Sequence, residues 1–96
     1  MSPADHEAEG ERWKSEIQSQ KSGIAELQRE IDSLSNSIRY APANCVANCA
    51  QWNERQQHKQ DQVESMKAQL EEQQRRLEEM QEAARKQGFG SSVYDP

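Results

Sequence analysis

The sequence is short of most things that would give it a large core or a chemical site. It has one phenylalanine, Phe89, and only 32% of its 96 residues are hydrophobic. A chain of this size with so few apolar groups buries a thin core, and must rely on repetitive helix packing, self-association or a partner. No apolar run approaches the ~20 residues that cross a bilayer, so membrane insertion is not expected. No block of Lys and Arg stands out: the net charge of −5 comes from interspersed acids and bases. Phosphate-led nucleic-acid binding is therefore excluded from the expected functions. The start, MSPADHEAEGER, is polar and acidic, unlike a signal or transit peptide. It points to the cytosol, or to an exported protein whose leader has gone.

What is present is a rhythm. Ser2, Pro3 and Asp5 form a helix start, with a capping side chain, a proline at the first helical position and an acid at the positive end of the dipole. Apolar positions then recur at four-three spacing through Trp13, Ile17, Ile24, Leu27, Ile31, Leu34 and Ile38. This spacing puts one stripe on one helix face. Pro42 has no N–H and restricts Ala41, which predicts a break. A second series runs Cys45, Cys49, Trp52, Gln56, Lys59, Val63, Met66, Leu70, Gln73, Leu77, Met80, Ala84. Glu, Gln, Lys and Arg fill the rest, all strong helix formers. Gly88 suits a helix stop, with Arg85 and Lys86 beside the negative dipole end.

These features predict an all-α chain of two long helices forming an antiparallel coiled-coil hairpin over residues 1–88. Helix 1 is expected at about 3–40, a turn at about 41–44 and helix 2 at about 45–87. The last residues, 89–96, have no helical period and are expected to be a flexible tail. A tight turn at Pro42 pairs Ile38 with Cys45, Leu34 with Cys49, Ile31 with Trp52, Gln20 with Val63 and Trp13 with Leu70. A loop longer by one heptad pairs Ile38 with Trp52 and Leu27 with Val63. Short helix connections favour the tight turn. Gln56, Lys59 and Gln73 interrupt the second stripe, so two hairpins are expected to pack as a dimer, a four-helix bundle. An extended, domain-swapped dimer is the other arrangement that Ile and Leu at these positions allow.

The stretch YAPANCVANCAQWN, residues 40–53, carries no charge and holds both cysteines. As helix residues, Cys45 and Cys49 read as small hydrophobes on the seam. Cysteines four apart in one regular helix are poorly placed for a bridge to each other, whereas a bridge between chains at the hairpin tip is feasible. Two such pairs from two subunits would supply a four-thiolate metal site at Cys45 and Cys49. A catalytic thiol needs a neighbouring base, and no histidine or carboxylate is close in sequence. Hairpins of the mitochondrial intermembrane space carry a C-x3-C pair on each helix; this chain has one pair, so that pattern does not extend to it.

The expected function is a non-enzymatic interaction or scaffold module with no cofactor. It pairs with itself or with an amphipathic helix of another protein, through the tip residues and the outward side of the seam, with Ile24, Leu27, Ile31, Leu34 and Trp52 as contact residues. The competing expectation is a redox- or metal-responsive assembly switch built on the C-x3-C pair.

Overall fold

A computed structural model describes residues 2–96. Helix α1 spans Pro3–Asn36, α2 spans Cys49–Lys86 and a short α3 spans Ser91–Tyr94. The two long helices pack as a hairpin in a rod of 73 × 15 × 15 Å. The all-α hairpin read from the stripe is the fold of this chain.

The start of α1 follows the local sequence. Ser2 has extended backbone and its Oγ accepts the Asp5 N–H at 3.2 Å, with Pro3 in the first turn. Its end does not follow Pro42. The helix stops at Asn36, short of the expected 40, within a run of Ser33, Ser35, Asn36 and Ser37. Short polar side chains offer the backbone other hydrogen-bond partners. Here the Ser37 hydroxyl donates to the Leu34 carbonyl at 2.6 Å, and the Ser37 N–H reaches the same oxygen. Helix α2 begins at Cys49, later than the expected 45. The connection is therefore the loop 37–48, much longer than a tight turn.

The longer loop changes which residues meet. Gln20 lies against Gln73, its Nε2 donating to the Gln73 carbonyl at 2.9 Å, instead of against Val63. The Trp13 indole N–H donates to Gln87 Oε1 at 3.2 Å, so Trp13 does not pair with Leu70. Leu27 and Val63 share one buried cluster, as the longer-loop pairing expects. The tight turn is thus corrected. A twelve-odd-residue connection lets helix 2 slide until its polar seam residues find partners, which short-loop statistics do not register.

The core lies in two blocks. Toward the loop, Leu27, Ile31 and Val63 are buried, flanked by Leu34, Ile38, Met66 and Leu70. At the open end, Ile17, Ala84 and Phe89 are buried, flanked by Trp13, Leu77, Met80, Val93 and Tyr94. The Gln20–Gln73 bond sits between the blocks. No buried side-chain N or O among the described residues lacks a hydrogen-bond partner, which a thin core requires because an unpaired buried polar group is costly.

The segment after α2 is folded, contrary to the expected flexible tail. Gly88 turns the chain at φ 92°, a left-handed conformation that glycine adopts without steric cost. Phe89 then packs over Gly10, and its ring stacks on His6 with centroids 4.3 Å apart. Gly10 sits one heptad before Ile17 on the α1 stripe, and the missing side chain makes room for the ring. α3 follows, and Lys21 Nζ pairs with Asp95 and donates to the Pro96 carbonyl at 3.1 Å. The clamp escapes a periodicity search because its anchor is a glycine on the stripe and a lone aromatic beyond it.

Candidate functional site: the stapled tip

The loop 37–48 and the first turns of α2 form the closed end of the rod. Here the polar residues of the seam have a clear use. The buried Gln56, only 2% exposed, accepts the Arg39 N–H on Oε1 at 2.8 Å. Asn53 Oδ1 accepts the Ala41 N–H at 2.7 Å. The two amides sit one helical turn apart, facing alternate residues of a non-helical segment. The indole N–H of Trp52 donates to the Arg39 carbonyl, and the Tyr40 hydroxyl donates to Gln57 Oε1 at 3.3 Å. Lys59 Nζ donates to the Ser37 carbonyl at 3.4 Å. Gln56 and Lys59, which interrupt the apolar stripe, thus bind the backbone of the chain as it leaves α1. Backbone N–H groups near a core must be paired, and side chains of α2 do this where no helix or sheet can.

The cysteines lie beyond this ladder. Cys45 and Cys49 form a disulfide, with Cα atoms 6.1 Å apart. The expectation that they sit together on a regular helix as free hydrophobes is overturned. Cys45 is in the loop, and only Cys49 is helical. A loop position allows the bridge that helix geometry forbids. Both sulfurs are committed to each other, so in this state neither offers a thiolate for a metal shared between subunits or for nucleophilic attack. No group of three or more His, Cys, Asp or Glu side chains among the described residues is placed to hold a metal.

The outer surface of the tip is apolar. Tyr40, Val46 and Trp52 are the exposed large hydrophobic residues among those described, at 50%, 97% and 42% exposure. All three belong to the uncharged stretch. The Arg55 guanidinium carbon lies 5.5 Å from the Trp52 ring centroid, within cation–π range. Between loop and helix is an open cleft of about 360 Å³, lined by Ala41, Pro42, Cys45, Ala47, Trp52 and Arg55 among others.

Of the contact residues expected from the stripe, only Trp52 belongs to this surface. Leu27 and Ile31 are buried against Val63 inside the hairpin, and Ile24 and Leu34 are half-buried along it. The stripe is used to close the chain on itself. Tyr40 and Val46 were missed because they lie off the stripe. The signal available was the absence of charge around them, which marks apolar surface that helix α2 does not cover.

The flanks of the rod are different. Exposed Glu–Lys and Glu–Arg pairs run along α2, at Glu64–Lys67, Glu72–Arg75 and Glu82–Arg85. The hydrogen bond from Arg85 holds the Glu82 carboxyl below its ordinary pKa and raises that of Arg85. No helix among the described residues is long and apolar enough to cross a membrane. Comparison with protein-family models, with curated proteins and with solved structures found no match to this chain.

Proposed function

We infer that the chain is a non-enzymatic interaction module, a helical rod that pairs with a second copy of itself or with a helix of another protein. The observation that carries this reading is the concentration of exposed Tyr40, Val46 and Trp52 at one end of a rod whose flanks carry ion pairs. Apolar groups clustered on an otherwise charged surface mark contact sites.

The rod shape suggests how the contact is made. The end of a rod 15 Å across is too small to form a stable flat interface by itself. A stable complex therefore has the tip enclosed by its partner, or adds the half-buried residues Ile24, Leu34, Met66 and Leu70 along the seam.

Sedimentation velocity over a broad concentration range tests self-pairing first. The expected result is a species heavier than the 11.0 kDa chain that returns to monomer in Val46→Asp. Monomer at every concentration, with full helicity, refutes self-pairing and leaves pairing with another protein. Unchanged association in Val46→Asp refutes the assignment of the tip.

A further inference from the structure

We propose that the Cys45–Cys49 disulfide is a redox-controlled stop on helix α2. With the bridge closed, the helix begins at Cys49; with it reduced, the helix gains one turn through Cys45 and the apolar tip is rebuilt.

The reason is geometric. Residues four apart on a helix have Cβ atoms about 5–6 Å apart, whereas a disulfide needs about 3.5–4.5 Å. The bridge and a regular helix across 45–49 exclude one another. Besides the bridge, one turn holds this stretch, closed by the Cys45 N–H on the Pro42 carbonyl at 3.0 Å. Residues 43–48 read ANCVAN, with no proline or glycine. As observed, α2 starts without a cap: Asn48 stands at φ 58° and makes no side-chain capping bond. A left-handed backbone is uncommon for a residue other than glycine, though asparagine tolerates it best. One turn earlier, Asn44 would stand directly before Cys45, with a side chain of the preferred capping type.

The anchor on the other side limits the growth. Ala41 is tied to Asn53. A helix from residue 45 to 53 rises about 12 Å, and the chain from 41 to 45 reaches about 13–14 Å when fully extended. Once the Cys45–Pro42 turn opens, the link allows one extra turn and no more. That turn takes Cys45, Ala47 and Asn48 out of the loop that walls the tip cleft, and it moves Val46 from a loop apex to a helix flank.

Reduction is balanced by an external dithiol. One of its thiolates attacks a cysteine sulfur and displaces the other cysteine as thiolate, giving a mixed disulfide. Its second thiol resolves that bond. Cys45 and Cys49 gain two electrons and two protons in total, and the dithiol leaves as a cyclic disulfide.

The test compares the full chain in oxidising buffer with the same chain in excess dithiothreitol, using backbone NMR shifts and amide exchange. Cys45→Ala/Cys49→Ala serves as a form that needs no reductant. Expected in both bridge-free forms are helical shifts and slowed exchange at residues 45–48. Far-UV ellipticity rises by about one turn, roughly four residues. Non-helical shifts at 45–48 in both forms overturn the proposal. Any consequence for binding rests on the tip being a contact surface; the change in helix length does not. Association is therefore measured on the same samples. A changed helix with unchanged association refutes the tip reading and leaves the switch, while an unchanged helix refutes the switch whatever association does.

Discussion

Two glycines on α1 isolate the contribution of the clamp at the open end. Gly10 and Gly23 both lie in the helix interior, where alanine is favoured by about 1 kcal/mol. Their surroundings differ. A Cβ added at Gly23 meets only Gln73 Oε1, at 4.0 Å, so Gly23→Ala gains the propensity term without penalty. A Cβ added at Gly10 falls 3.0 Å from Phe89 Cε1 and 3.3 Å from Cδ1. The ring must then move off its seat between Gly10 and His6, and overfilling a packed site costs about 1–3 kcal/mol. Gly10→Ala is expected to be neutral or destabilising, at least about 1 kcal/mol worse than Gly23→Ala, which separates their melting temperatures by about 4–8 °C or more. Thermal unfolding followed by circular dichroism measures this. In a Phe89→Ala background the clash is gone, and Gly10→Ala should recover the full gain of about 1 kcal/mol, which makes the four proteins a double-mutant cycle. Equal stabilisation by Gly10→Ala and Gly23→Ala in the parent chain would refute the docking of Phe89 on Gly10.

Other perturbations have defined outcomes. Gln56→Leu fills the seam but leaves the Arg39 N–H without its acceptor; a net loss of about 1–3 kcal/mol and lost exchange protection at Arg39 are expected in urea unfolding and hydrogen exchange. Ile17→Ala removes a fully buried side chain and should cost about 2–5 kcal/mol, read from the urea midpoint. The Glu82 carboxyl, held below its ordinary pKa first by the hydrogen bond from Arg85, stabilises the folded chain above its unfolded pKa, and this contribution is lost as pH falls through the lower folded value. An NMR titration should place the Glu82 midpoint below the ordinary glutamate value, and Arg85→Gln should raise it. Since the pair is exposed, the same substitution should barely change thermal stability at neutral pH.

The polar seam residues show where the one-dimensional reading stopped. Gln56, Lys59 and Gln73 look like defects in a stripe that only a second hairpin could repair. In the fold, two of them hold the backbone of the loop and the third accepts Gln20 on its carbonyl. The interruptions therefore do not by themselves call for a dimer, and the case for a partner moves from the seam to the tip. Trp52 is the one residue of the expected contact set that lies at the tip.

The two long helices, the start of α1, the stop of α2 and the face each helix buries were written in local chemistry. Ser2, Pro3 and Gly88 act through their own backbone and that of near neighbours, and the four-three period needs no distant partner to point one face inward. The register, the loop, the disulfide and the clamp were decided only in three dimensions. A four-three stripe looks nearly the same after one helix slides along the other, so the period carries little information about pairing. That choice falls to single contacts between residues far apart in sequence, such as Gln20 with Gln73, Arg39 with Gln56 and Gly10 with Phe89. The same choice lengthened the loop, in which Cys45 lies within bonding distance of Cys49.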